Sequence, residues 1–105
     1  MDLSIKELNK HFEKDKIKKD DLIDLCLSEY LKANNETEKS DFLILIGRCF
    51  RDKKEPHYAN DYLDKAINLN VKAAEALFWK AAIQNDLKNI ESAISLLKKA
   101  IEADS

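Results

Sequence analysis

Apolar side chains recur along the chain at the spacing of one helix face, in stretches separated by short polar runs. Residues 3–14 place Ile5, Leu8 and Phe12 three and four apart with Lys and Glu between them, which predicts a short amphipathic helix. The run KDKIKKD (14–20) reads as a solvated connector rather than a basic docking patch, because Asp15, Asp20 and Asp21 offset its lysines. Asp20 or Asp21 suits the cap of a second helix that carries Leu22, Ile23, Leu25, Cys26, Tyr30 and Ala33 to an end near Asn34. NNETEKS (34–40) then breaks the pattern, with Asn34 and Asn35 suited to a left-handed helix stop. A third helix is expected from about Ser40 to Asp52, its core face drawn from Leu43, Ile46, Gly47 and Phe50. Pro56 suits the first turn of a fourth, where its missing N–H costs no hydrogen bond, and Ala59, Tyr62, Leu63, Ala66 and Ile67 form that helix's stripe. The fifth, about 73–87, is apolar almost all round through Ala76, Leu77, Phe78, Trp79, Ala81, Ala82 and Ile83, as in a helix covered on more than one side. The sixth, about 90–103, carries Ile90, Ala93, Ile94, Leu97, Ala100 and Ile101 on one broad face. Short connectors make consecutive helices neighbours in space, so the pattern predicts six helices in three antiparallel pairs arranged as a row.

The row repeats. Leu43 and Leu77, Gly47 and Ala81, Ala59 and Ala93, Leu63 and Leu97, and Ala66 and Ala100 are each 34 residues apart, small matching small and large matching large. A fixed period of this length is the signature of stacked helical hairpins. The small positions let helix backbones approach, and the large ones fill the holes that result.

This code resembles the tetratricopeptide repeat. The first full copy supplies Leu43, Ile46-Gly47 and Phe50, then Ala59, Leu63 and Ala66; the second supplies Leu77 and Ala81, then Ala93, Leu97 and Ala100. The resemblance covers residues 40–105. It departs from the family pattern where Lys54 and Lys88 replace the glycine that usually ends the first helix, and where Val71 and Ser105 replace the proline at the repeat end. Lys80 and Gln84 stand in the second copy at places that usually read Leu and aromatic. In residues 1–39 only the second helix fits, with a one-residue slip that sets Cys26, Tyr30 and Ala33 for small, large, small. The resemblance implies an all-α, right-handed superhelix (solenoid) of three hairpins. It forms one helical-repeat domain over 1–105: a degenerate repeat or cap at 1–39, then repeats at 40–73 and 74–105.

Composition narrows the function. A single glycine and a single proline fit an all-helical chain. The net charge of −2, spread evenly along the sequence, advertises neither nucleic acid nor an anionic membrane. The longest apolar run, Phe42–Ile46, falls far short of the roughly 20 residues of a membrane span, and the N-terminus lacks the apolar centre of a secretory signal. Cys26 and Cys49 lie inside helical patterns without metal-type spacing and read as buried thiols in a reducing compartment, so a cytoplasmic protein is expected. No phosphate loop, serine elbow or His/Cys cluster is present, and His11 and His57 each stand alone near a helix end. The expectation is therefore a non-catalytic chain with no cofactor and no metal. The cluster of Arg48, Arg51, Lys53 and Lys54 lacks the interleaved aromatics of a nucleic-acid site.

The resemblance assigns binding to the inner wall of the array, which is lined by first helices. Its wall positions here are Asp41, Ile44, Arg48, Arg51 and Asp52 in one copy and Glu75, Phe78, Ala82, Asn85 and Asp86 in the other. Ile44, Phe78 and Ala82 would form an apolar floor, with Arg48 and Arg51 meeting carboxylates of a peptide; charged wall residues that only solvate the face are the competing reading. Trp79 is assigned to the core. The implied function is a protein–protein interaction module, an adaptor or co-chaperone-like scaffold, whose partner is another protein or a peptide. The Lys and Asn positions that clamp acidic chaperone tails are replaced by Ile44, Phe78 and Ala82, which argues against that role. The alternative is a self-assembling structural protein: with Ser105 directly after the sixth helix, Leu96, Leu97 or Ile101 would stay partly bare and support a homodimer, unless Lys80 and Gln84 cap that end.

Overall fold

The computed structural model describes residues 4–104; residue 3 of the expected first helix and Ser105 lie outside them. Six helices and no strands are present among the described residues: α1 (Ile5–Lys14), α2 (Lys19–Lys32), α3 (Glu36–Asp52), α4 (Pro56–Leu69), α5 (Ala73–Asp86) and α6 (Ile90–Asp104). Each packs on the next or next-but-one in sequence, and the molecule measures 43 × 27 × 20 Å, a row rather than a globe.

The helix ends follow from side-chain and backbone chemistry. Ser4 caps α1 by accepting from the Glu7 N–H at 3.2 Å. Asn35 caps α3, its side-chain oxygen accepting from the Glu38 N–H at 2.8 Å. The expected break at 34–40 is thereby corrected: an Asn side chain serves a start as well as a stop, and here it starts a helix whose first turn is Glu-Thr-Glu. Asp20 and Asp21 do not cap α2 but lie in its first turn, where their charge still suits the positive helix end.

At the far ends of α3 and α5 the chain makes the same turn twice. Lys54 and Lys88, 34 positions apart, hold left-handed backbone with φ of 61° and 67°. The Glu55 N–H donates to the Phe50 carbonyl and the Asn89 N–H to the Gln84 carbonyl, both at 2.9 Å, while the two lysine N–H groups close the shorter inner bonds. These are Schellman stops, and they explain why the family pattern asks for glycine there. A side chain in this conformation costs about 1–2 kcal/mol.

Two buried clusters run along the row. One joins α1, α2 and α3 through Leu8, Leu22, Cys26, Leu45, Ile46 and Cys49. The other joins α3, α4 and α5 through Leu43, Ile44, Ala59, Leu63, Ala66, Ala76 and Ile83. Phe50 bridges them, stacked on Tyr62 with centroids 5.6 Å apart. Burial pushes both cysteine thiols up to about 12, so neither offers a thiolate near neutral pH.

Gly47 sets the closest approach of α3 and α4. A Cβ there would lie 2.8 Å from Leu63 Cγ, 2.9 Å from its Cδ2 and 3.3 Å from the Ala59 carbonyl oxygen. Gly47→Ala is expected to destabilise the chain by about 1–2 kcal/mol in urea unfolding, the overpacking strain exceeding the gain in helix propensity. In a Leu63→Ala background most of that penalty should vanish, because the two closest atoms are gone and only the Ala59 carbonyl contact remains. Lys54→Gly and Lys88→Gly should each do the reverse, stabilising by about 0.5–1 kcal/mol once the entropy of the freer unfolded chain is subtracted. Thermal melts of the single variants check this.

Candidate protein-binding wall

The curvature of the row identifies its inner side. α1 touches α3 and α3 touches α5, whereas among the described residues α2 and α4, and α4 and α6, make no close approach. The odd helices therefore form the short inner wall and the even ones splay on the outside.

The centre of this wall is an arginine held between aromatic rings. The Arg48 guanidinium of α3 lies 4.5 Å from the Phe12 ring centre of α1 and 4.4 Å from the Trp79 ring of α5. Its Nη1 donates to Asn9 Oδ1 at 3.3 Å, and its Nε is buried with no acceptor among the described residues. A delocalised, weakly hydrated cation tolerates this better than an ammonium group would. Arg51, one turn further, donates from Nε and Nη2 to the two Asp86 oxygens at 2.6 and 3.0 Å and also lies near Trp79. The hydrogen bond holds the Asp86 carboxyl below its usual range and raises Arg51 further. This fork joins α3 to α5 below the stack.

The expected wall residues thus divide. Ile44 is only 3% exposed and belongs to the core, because α3 is packed from both sides; it gives a partner no floor. Arg48 is spent on Phe12, Trp79 and Asn9, and Arg51 on Asp86, so their acceptors are internal. Asp41 pairs with Lys72 from the α4–α5 connector. Glu75 and Asn85 are exposed, Ala82 is half-buried, and Phe78 is 49% exposed, its ring nearly perpendicular to that of Trp79 with centroids 5.2 Å apart. Trp79 is not a plain core residue, since one face supports Arg48. Sequence reasoning missed Phe12 and Asn9 as wall residues; no spacing rule connects α1 to Arg48.

Beyond Asn85 the wall opens into a cleft of about 600 Å³ between the ends of α3 and α5. It is lined by Arg51, Asp52, Lys54, Asp86, Leu87 and Lys88 among others. With Arg51 and Asp86 neutralising each other, the two left-handed lysines outnumber Asp52, and the cleft is mildly positive.

A row of antiparallel helix pairs that close on their odd members and end α3 and α5 in the same left-handed turn is a helical-hairpin repeat array. The tetratricopeptide repeat family model matches residues 74–105, and that match together with the row of six helices supports a tetratricopeptide-like repeat protein. The match falls on the copy that departs from the code at Lys80 and Gln84. Both are engaged locally: Lys80 pairs with Asp64 of α4 at 2.6 Å, and Gln84 accepts from Asn89 at 3.0 Å. Comparison with curated proteins and with solved structures gives no match. Repeats of this family generally mediate binding to other proteins and are generally not catalytic. No helix among the described residues is long and apolar enough to cross a membrane.

The arginine stack gives a quantitative expectation. In a double-mutant cycle, Arg48→Met and Trp79→Leu should couple by about 0.5–2 kcal/mol in unfolding free energy, the range for a partly desolvated cation on an aromatic face. Additive effects of the two changes would remove the stack as a tie between α3 and α5.

Proposed function

We propose that the chain is a non-catalytic interaction module that takes a segment of another protein along α5 and into the cleft at its end. One observation carries this reading: Phe78, a large aromatic left half exposed on the wall, with Ala82 and Asn85 following on the same helix face. From Phe78 to Asn85 the helix rises about 10 Å, the span of three or four extended residues. An apolar side chain of the partner would lie on Phe78, and a carboxylate would reach Lys54 and Lys88. The internal pairing of Arg48 and Arg51 supports a wall already shaped before binding, which lowers the ordering cost of association. Roles as adaptor or scaffold, and action in the cytoplasm, follow as parts of the same proposal.

The test is selection of a displayed random-peptide library on the 105-residue chain, followed by anisotropy titration of the enriched peptides. Phe78→Ala should weaken them at least tenfold, about 1.4 kcal/mol, and Lys54→Glu/Lys88→Glu should select against acidic residues at one peptide end. Peptides indifferent to both variants, or no enrichment at all, would contradict this site.

A further inference from the structure

A second surface is left open by the fold, separate from the wall. Among the described residues α6 packs on α5 alone, through the buried Ala93 and Ala100. Roughly a quarter turn around the same helix, Ile90, Ile94, Leu97 and Ile101 stay 50%, 48%, 39% and 71% exposed. Lys80 and Gln84, the polar groups suited to capping this end, are held by Asp64 and Asn89 instead. The four aliphatic residues are spaced four, three and four apart, the alternation that keeps a stripe in contact with a second helix lying alongside.

We propose that this stripe is the interface of a two-fold homodimer in which α6 runs antiparallel to α6 of a second copy. The stripe has the same spacing read in either direction. An axis between Ile94 and Leu97 sets Ile90 of one copy on Ile101 of the other and Ile94 on Leu97, each contact occurring twice, as a self-complementary interface requires. The charges agree with this direction. Glu91 and Lys98 are exposed, seven apart, on the flank away from α5. Antiparallel pairing brings Glu91 of each copy beside Lys98 of the other, whereas parallel pairing offers the two no opposite charge on that flank. On the remaining flank Ala93 and Ala100 carry the contact with α5, about a quarter turn from the stripe. The stripe exposes on the order of 400 Å² per copy, the scale of a functional apolar patch. Counted on both copies with its polar flanks it approaches about 1,000 Å², the lower end for a specific pair. A second copy is thus the occupant that fits spacing, symmetry and charge together.

Sedimentation equilibrium of the 105-residue chain from about 1 μM to about 1 mM spans the affinities such an area allows. The mass should rise from monomer to dimer across that range. Ile94→Lys should remain monomeric throughout with an unchanged circular dichroism spectrum. Glu91→Lys and Lys98→Glu should each weaken the dimer about two- to tenfold, as loss of two exposed ion pairs predicts, and the two swaps combined in one chain should restore it. A monomer at every concentration overturns the proposal, and so points to a different protein or segment as the cover. A dimer that survives Ile94→Lys, or one that the combined swap fails to restore, overturns it as well.

Discussion

Everything in this molecule leans on α3. It is the longest helix and touches α1, α2, α4 and α5, every helix except α6. Six consecutive residues, Phe42–Gly47, are buried, which no helix packed on one face can achieve. One side of α3 feeds the cluster with α1 and α2, and the other feeds the cluster with α4 and α5. The single glycine of the chain lies on this helix, where α4 comes closest.

The wall inherits its shape from that arrangement. With α3 fixed between two hairpins, Arg48 and Arg51 project from it toward α1 and α5 and are held there by Phe12, Trp79, Asn9 and Asp86. Cations on an inner wall usually suggest a search for anionic ligands. Here their partners are internal, and they stiffen the surface on which Phe78 is presented. The contrast with α6 is instructive. Among the described residues it has one neighbour, so burial reaches Ala93 and Ala100 while its larger aliphatic side chains stay outside.

Local chemistry with a fixed spacing was legible in the sequence, and chemistry between distant positions was not. The six helices, Pro56 at the start of α4 and the small residues at Gly47, Ala59 and Ala66 all follow from periodicity and size. The replaced glycines at Lys54 and Lys88 marked the positions that prove left-handed. Asn35 was misread because the same side chain can end one helix or begin the next, and only the hydrogen bond to the Glu38 N–H distinguishes them. Ile44 shares a helix face with the wall residues, yet α3 is covered on both sides and buries it. The stack of Phe12, Arg48 and Trp79 joins three helices, beyond the reach of any pattern within one. The broad apolar face expected of α6 is real as a pattern, but among the described residues α5 alone packs on this helix and covers only part of it.

α3 is thus the hub on which the outer hairpins depend. Native-state amide hydrogen exchange of the whole chain tests it most directly, because each helix reports its own opening free energy. The slowest amides should be those of Phe42–Cys49, exchanging only with global unfolding, while α1 and α6 exchange through smaller openings that leave α3 protected. If α6 amides prove as slow as those of α3, or α3 opens while α5 and α6 stay closed, α3 is not the hub.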